Sequence, residues 1–190
     1  MEASKTDKRS AILQAALEIF AENGFHNSPT SLIAKKAEVG TGTIYRYFES
    51  KDDLIEALHQ DLEQKIHSIL LSAVPENAPI RERFIRIHAN ILTFLINNPF
   101  EFKFLEQYFN SPFGIEKKRE KASGCDSPLA LLFCEGIKQQ IIKALPEPVL
   151  FALSFGPIIF LARDHLQGSF NLTEDVILTT LSASWDAVKR

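Results

Sequence analysis

An all-α fold follows from three features of the sequence. Apolar residues recur at three- and four-residue spacing along nearly all of the 190 residues, the pattern of one buried helix face. No period-2 stretch is bounded by hairpin turns. Ser-Pro, Asn-Pro and Gly signals recur at helix-length intervals. The expected architecture is three short helices in a helix-turn-helix arrangement over residues 1–50, then a larger helical bundle over 51–190, about nine helices in all.

Composition bounds the rest. The chain has 21 Lys plus Arg against 24 Asp plus Glu, a net charge of -3, with 45% apolar residues. That apolar fraction is enough to offset chain entropy, which excludes a disordered chain. No run of 18 uncharged apolar residues occurs, and Met1 to Arg9 is polar, so a cytoplasmic protein without a membrane segment is expected. Cys125 and Cys134 are too few for a disulfide framework and are read as plain thiols. Fifteen Phe stand out, twelve of them after residue 80.

The first helix is expected from about Asp7 to Asn23, with Ile12, Ala16, Ile19 and Phe20 on one face and Gly24 supplying the left-handed terminus. Ser28 as N-cap with Pro29 at the first helical position opens the second, through Ile33, Ala34 and Ala37. Glu38, Val39 and Gly40 form a tight turn. The third runs from Thr41 to about Tyr47. Ser50 caps a long fourth helix, with Asp53 completing a capping box and Leu54, Leu58, Leu62, Ile66 and Ile69 as its stripe until Pro75.

Asn77 and Pro79 open a helix bearing Phe84, His88, Ile91, Leu92 and Leu95, and Asn98 with Pro99 starts the next, to about Phe109. Residues 110–127, with the charge run from Glu116 to Lys121, read as a loop. Ser127 and Pro128 begin a helix to about Ala144. The helix after Pro146 and Pro148 runs to Gly168 and is expected to bend or break near Pro157. Thr173, followed by Glu174 and Asp175, starts the last helix.

Two helices joined by a tight turn form the arrangement in which the second lies in a DNA major groove while the first crosses the backbone. Thr41 and Thr43 suit base edges or thymine methyl groups, and Gly42 permits close backbone approach. Tyr45, Arg46, Tyr47 and Lys51 suit phosphates, with a guanine edge as a second role open to Arg46. Ser28 and Thr30, at the start of the second helix, complete the DNA-facing set. Residues 1–54 hold seven Lys or Arg against eight Asp or Glu, so the positive charges must be gathered on one face. Lys5, Lys8 and Arg9 form an arm, and Glu18 and Glu22 are expected to face away.

Residues Arg9 to Leu54 resemble the DNA-binding region of the TetR/AcrR-type repressors: Ile12 to Ala16, Phe20 to Phe25, Ile33, Ala34, Ala37 and Val39, then Gly42, Thr43, Ile44, Tyr45, Arg46, Tyr47, Phe48 and Lys51. The resemblance implies a dimeric all-helical repressor whose second domain binds an effector, with the fourth helix linking effector pocket to DNA-reading domain. Glu38 departs from it, standing where the family usually has Gly, as does Gly40, where Ser commonly caps the reading helix. Leu32 takes a place where an acidic residue is frequent. A carboxylate at Glu38 opposes DNA.

In the second half, a largely apolar effector pocket is expected, walled by Phe84, His88, Phe104, Tyr108, Phe133, Phe151 and Phe155, with His88 a polar group on an apolar face. The competing reading is that these rings, like aromatic residues at helical spacing generally, fill a core. His59, Glu63 and His67 share one helix face, yet lack the pattern of a zinc site and read as a solvated face. No nucleophile motif or phosphate loop accompanies Asp164 and His165, so neither an enzyme nor a cofactor is expected. The expected function is a dimeric repressor on a near-palindromic double-stranded operator, released by a small apolar or aromatic effector. It pairs through the last two helices, where Leu153, Ile158, Leu161, Leu166, Val176, Leu181 and Trp185 exceed what one bundle face needs. The alternative is a helical ligand-binding or scaffold protein with weakened DNA binding, for which Glu38 and the net charge of the head argue.

Overall fold

The computed structural model describes residues 3–75, 77–115 and 127–190, with side chains from residue 8 onward. The run from Glu116 to Lys121, Cys125 and the Lys5 side chain lie outside the described residues. Nine helices are labelled here: α1 Ala3–Asn23, α2 Thr30–Lys36, α3 Thr41–Ile44, α4 Lys51–Leu70, α5 Ile80–Asn97, α6 Pro99–Phe109, α7 Pro128–Lys138, α8 Glu147–Leu166 and α9 Glu174–Val188. Among the described residues no strand forms, only a bridge between Ile142 and Lys189.

Local signals set most boundaries. Gly24 adopts φ +77° after α1, where a side chain would be strained. The Asp53 amide donates to the Ser50 hydroxyl at 3.0 Å, and Asp53 accepts from the Glu49 amide at 2.9 Å, a capping box displaced by one residue on the return bond. Ser127 and Thr173 accept from the amides of Ala130 and Val176 at the starts of α7 and α9.

Two expectations fail for long-range reasons, and a third, a break at Pro157, for a local one. Ser28 does not cap α2: Pro29 does, without a side-chain bond. The helix expected to reach Ala144 stops at Lys138, because Ile142 turns back onto Gly136 and joins the bridge to Lys189. A Cβ on Gly136 would lie 2.5 Å from Ile142, so that approach requires glycine. Finally, Pro157 does not break α8. Pro157 lacks the N–H that would bond the Leu153 carbonyl, and both residues are exposed, so that carbonyl's lost helix bond falls on the solvent side of α8.

The chain divides into two compact units, Met1–Gln64 with Asn98–Ala122, and Lys65–Asn97 with Ser123–Arg190. This differs from a division at residue 50, chiefly because α6 belongs with the first unit. In that unit, Phe104 lies 6.4 Å from Phe20 and 5.6 Å from Phe25. The Tyr108 hydroxyl donates to Glu56 at 2.9 Å, and its ring stacks on buried His59 at 3.8 Å. His59 is therefore packed, not solvated, whereas His67 is exposed.

The second unit packs α5 against α7, α8 and α9. Arg83 of α5 pairs with Glu135 of α7 at 2.6 Å, and Asn90 donates to the carbonyls of Ile69 and Ser72, closing the end of α4. Phe84, Ile87, His88, Ile91 and Leu92 are buried along α5, facing Leu150, Ser154, Ile158 and Ala162 of α8 and Leu181 and Trp185 of α9. By length and composition α8 is apolar enough to cross a membrane. Its Leu150-Ser154-Ile158-Ala162 face, however, is taken up by packing in this unit.

Phe counts change accordingly. Phe100, Phe102, Phe104, Phe109 and Phe113 move to the first unit, so it holds eight of the fifteen and the second unit seven. By compact unit, therefore, the rings are shared almost evenly.

Candidate nucleic-acid interface and effector cluster

The α2–turn–α3 motif is built on the buried face of Ile33, Ala34, Ile44 and Phe48. Its turn is held by Ala37 N–H to Ile33 O (2.9 Å), Val39 N–H to Ala34 O (3.0 Å) and Thr43 N–H to Gly40 O (2.8 Å). Glu38 sits in this turn at φ +55°, the left-handed region. That conformation explains physically why glycine suits the position.

Thr41, Gly42 and Arg46 are exposed, and Tyr45 is 50% exposed, while Thr30, Thr43, Tyr47 and Lys51 are half-buried. Thr30 Oγ1 and the Tyr45 hydroxyl lie 3.1 Å apart, so the starts of α2 and of the turn after α3 present one polar edge. Ser28 leaves this set. It is fully buried, and its hydroxyl donates to Gly24 O at 2.6 Å and Ile19 O at 3.3 Å, fastening the turn between α1 and α2.

Charge on the head is partly neutralised by partners that sequence reasoning missed. Lys36 bonds Glu18 at 2.6 Å, and Gln14 donates to Glu18 at 2.9 Å. The Lys36 and Gln14 bonds hold the Glu18 carboxyl below the usual carboxylate range, and Glu18 raises Lys36. Glu18 thus faces a basic helix instead of facing away. Arg9 pairs with Asp61 at 3.3 Å and lies 5.7 Å from the Phe48 ring. These pairings join residues 18 and 52 apart in sequence, separations at which no local pattern announces them.

The seven residues expected to wall a pocket are divided. Phe104 and Tyr108 belong to the first unit, packed against α1 and α4, whereas Phe84, His88, Phe133, Phe151 and Phe155 lie together in the second. Phe84 stacks on His88 at 3.9 Å and meets Trp185 at 5.3 Å, and His88 meets Phe155 at 4.9 Å. Phe155 continues to Phe151 at 5.8 Å and thence to Phe133 at 5.6 Å. Trp185 is a member that helix periodicity alone assigned to pairing.

His88 is fully buried, with Nδ1 2.7 Å from Phe84 O. Desolvation, only partly opposed by that bond, pushes its pKa down to about 4. His88 Nε2 and Ser184 Oγ are buried without hydrogen-bond partners. Among the described residues no cluster of His, Cys, Asp and Glu forms a metal site. Cys134 is disulfide-bonded, correcting the plain-thiol expectation there. The expectation rested on the count and spacing of only two cysteines.

A helix-turn-helix head followed by a helical second unit defines a class, the helix-turn-helix transcriptional regulators. Residues 12–58 match the model of bacterial regulatory proteins of the tetR family, and residues 79–189 match a tetracyclin repressor-like C-terminal domain. The chain belongs to the TetR family. It is 31% identical, over the full length of both chains, to an uncharacterized HTH-type transcriptional regulator of Haemophilus influenzae. A TetR family transcription regulator from Marinobacter aquaeolei shares its fold with a TM-score of 0.87 at 27% identity, covering 100% of this chain and 99% of that one. The regulator FadR from Bacillus subtilis, solved in complex with stearoyl-CoA, shares the fold at 23% identity with a TM-score of 0.72, covering 94% and 97%.

Proposed function

We propose that this TetR-family regulator is a cytoplasmic, dimeric repressor that leaves its operator when a small apolar or aromatic effector enters the second unit. The reading head contributes Thr30, Thr41, Gly42, Thr43, Tyr45, Arg46, Tyr47 and Lys51. Thr41 and Thr43 read bases, and the others position the backbone. The effector is taken by Phe84, His88, Phe133, Phe151 and Phe155.

The observation that carries the dimer is an uncovered stripe on the last two helices. Val149, Leu153 and Phe160 share one face of α8 and stay 41%, 37% and 62% exposed, and Leu178 of α9 is 57% exposed. Such a patch on a regulator's helices suits a second copy, which buries the same surface on both subunits. Ile158, Leu181 and Trp185, expected in this interface from the sequence, are instead core residues of the single chain. Two copies place two reading helices on a near-palindromic operator, with half-sites about one helical turn apart. Effector binding then works by favouring the arrangement that fits DNA less well.

The test is an electrophoretic shift assay with the intact protein on its own upstream region. A shift that needs several-fold more protein in Tyr45→Ala supports the reading, and no shift by the intact protein removes it. Sedimentation should report about twice 21.4 kDa, and a monomer at micromolar concentration would remove the paired-reader geometry. A second reading, a ligand-binding protein with weakened DNA contacts, is favoured by the Glu38 carboxylate and by the Lys36–Glu18 pair. Salt titration separates the two, because a working reader loses affinity steeply as salt rises.

A further inference from the structure

The ring of His88 has one nitrogen committed and one bare. A carbonyl oxygen only accepts, so the 2.7 Å contact with Phe84 O requires that Nδ1 carry the proton. A neutral imidazole has one N–H, and Nε2 is then a lone-pair acceptor. That acceptor is buried and has no partner. Leaving a buried polar atom unsatisfied is costly, and such atoms are few in native proteins.

The His88 ring lies among aromatic rings. Phe84 stacks on one side of the ring at 3.9 Å, and Phe155 lies 4.9 Å away. Phe151 and Phe155 are half-buried, so the cluster reaches the border of the unit at α8 while His88 stays inside. The burial that holds the imidazole neutral, with a pKa of about 4, keeps Nε2 an acceptor at neutral pH.

We propose that this cluster binds a small neutral aryl or alkyl alcohol, whose O–H donates to His88 Nε2 while its apolar body lies among Phe84, Phe151 and Phe155. The inference rests on the reading of the second unit as the effector-binding part and specifies the chemistry of that effector. A carboxylate brings acceptor oxygens to a lone pair and is rejected. An ether or ester of equal size supplies no donor and leaves Nε2 unsatisfied. A site built to pair with a hydroxyl discriminates strongly against an analogue lacking it.

The experiment is calorimetric titration of the full-length protein at pH 7.5 with 4-propylphenol, 4-propylanisole, 4-propylbenzoate and stearoyl-CoA. 4-Propylphenol should bind at least about tenfold more tightly than 4-propylanisole, the ratio a single buried hydrogen bond supports. In His88→Phe, which keeps an aromatic ring but has no acceptor nitrogen, that ratio should fall to about one. Nitrogen-15 histidine spectra of the unliganded wild type should show His88 protonated at Nδ1 alone, and the Nε2 signal should move when 4-propylphenol is added. Spectra and the wild-type ratio decide the matter if His88→Phe does not fold.

Equal affinity for phenol and anisole would overturn the proposal. So would preference for the benzoate or stearoyl-CoA, binding of none of the four, or a proton on Nε2. Operator binding, measured separately by fluorescence anisotropy, tests the regulator reading. Its failure leaves the phenol ratio intact, whereas tight phenol binding without an effect on operator affinity overturns the effector role alone.

Discussion

Each unit of this protein contains an aromatic cluster with a histidine in it, and the two are finished differently. In the first, Phe20, Phe104 and Tyr108 are fully buried, His59 stacks on Tyr108, and the Tyr108 hydroxyl finds Glu56 at 2.9 Å. In the second, His88 lies under Phe84 and Phe155 with Nε2 unpartnered. The first cluster has the finish of a structural core joining α6 to α1. The second keeps one hydrogen bond in reserve. Aromatic content alone does not separate these roles; the state of the polar atoms among the rings does.

The most severe way to break this comparison is Phe104→Ala. If the first cluster is structural, removing a fully buried ring there should cost about 3–5 kcal/mol in chemical denaturation. Effector affinity of the surviving folded fraction should be unchanged. A mild loss of stability with a large change in ligand binding would return Phe104 to the pocket.

A pH titration of stability sharpens the other side. His88 takes its proton near pH 4 when folded and near 6.5 when unfolded. Between those values the unfolded state binds more protons, so stability falls as pH drops below 6.5, by up to about 1.4 kcal/mol per pH unit. Above pH 6.5 both states are neutral at this group, and the contribution is complete. His88→Phe should flatten this part of the profile; an unchanged profile would show that His88 is not the buried neutral base described.

Within the reading head the effects are smaller. Tyr45→Ala and Lys51→Ala should each weaken binding by about 1 kcal/mol on operator and random DNA alike, and the latter should lower the salt slope by about one. Thr43→Ala should instead change the ratio between operator and single-base variants. Anisotropy titrations across a small operator panel measure both. Uniform loss for Thr43→Ala would move it from base reader to backbone contact.

The same contrast governs what the sequence made legible. Helix starts were readable where the signal is local, as at Ser50 with Asp53, Ser127 with Pro128, and Thr173. The DNA-reading motif was readable because its residues lie within some 45 positions. The place of α6 was not, since Phe104 meets Phe20 and Phe25 across about 80 residues and nothing in its own helix periodicity says which partner it has. Ser28 misled for a related reason: it stands where an N-cap belongs, yet its hydroxyl turns back to α1. The residues proposed as an effector wall were legible only as a set of aromatic positions. Its division between two units, and the bare nitrogen that distinguishes them, depend on tertiary contacts.

Glu38 offers the smallest and most separable effect. At φ +55° a side-chain-bearing residue is strained by about 1 kcal/mol or somewhat more, and glycine is not. Part of that gain returns to the unfolded chain, because glycine loses more freedom on folding. Glu38→Gly should therefore stabilise the head by only a few tenths of a kcal/mol to about 1 kcal/mol. It also removes a carboxylate from the turn before the reading helix, which should tighten DNA binding by an amount that shrinks as salt rises. Glu38→Gln separates the two causes, keeping the strained backbone while losing the charge. Glutamine should match glycine in DNA affinity and match glutamate in thermal stability. If glutamine instead leaves affinity at the wild-type level while glycine raises it, the turn acts through its backbone conformation, and the reading head is tuned by strain and not by charge.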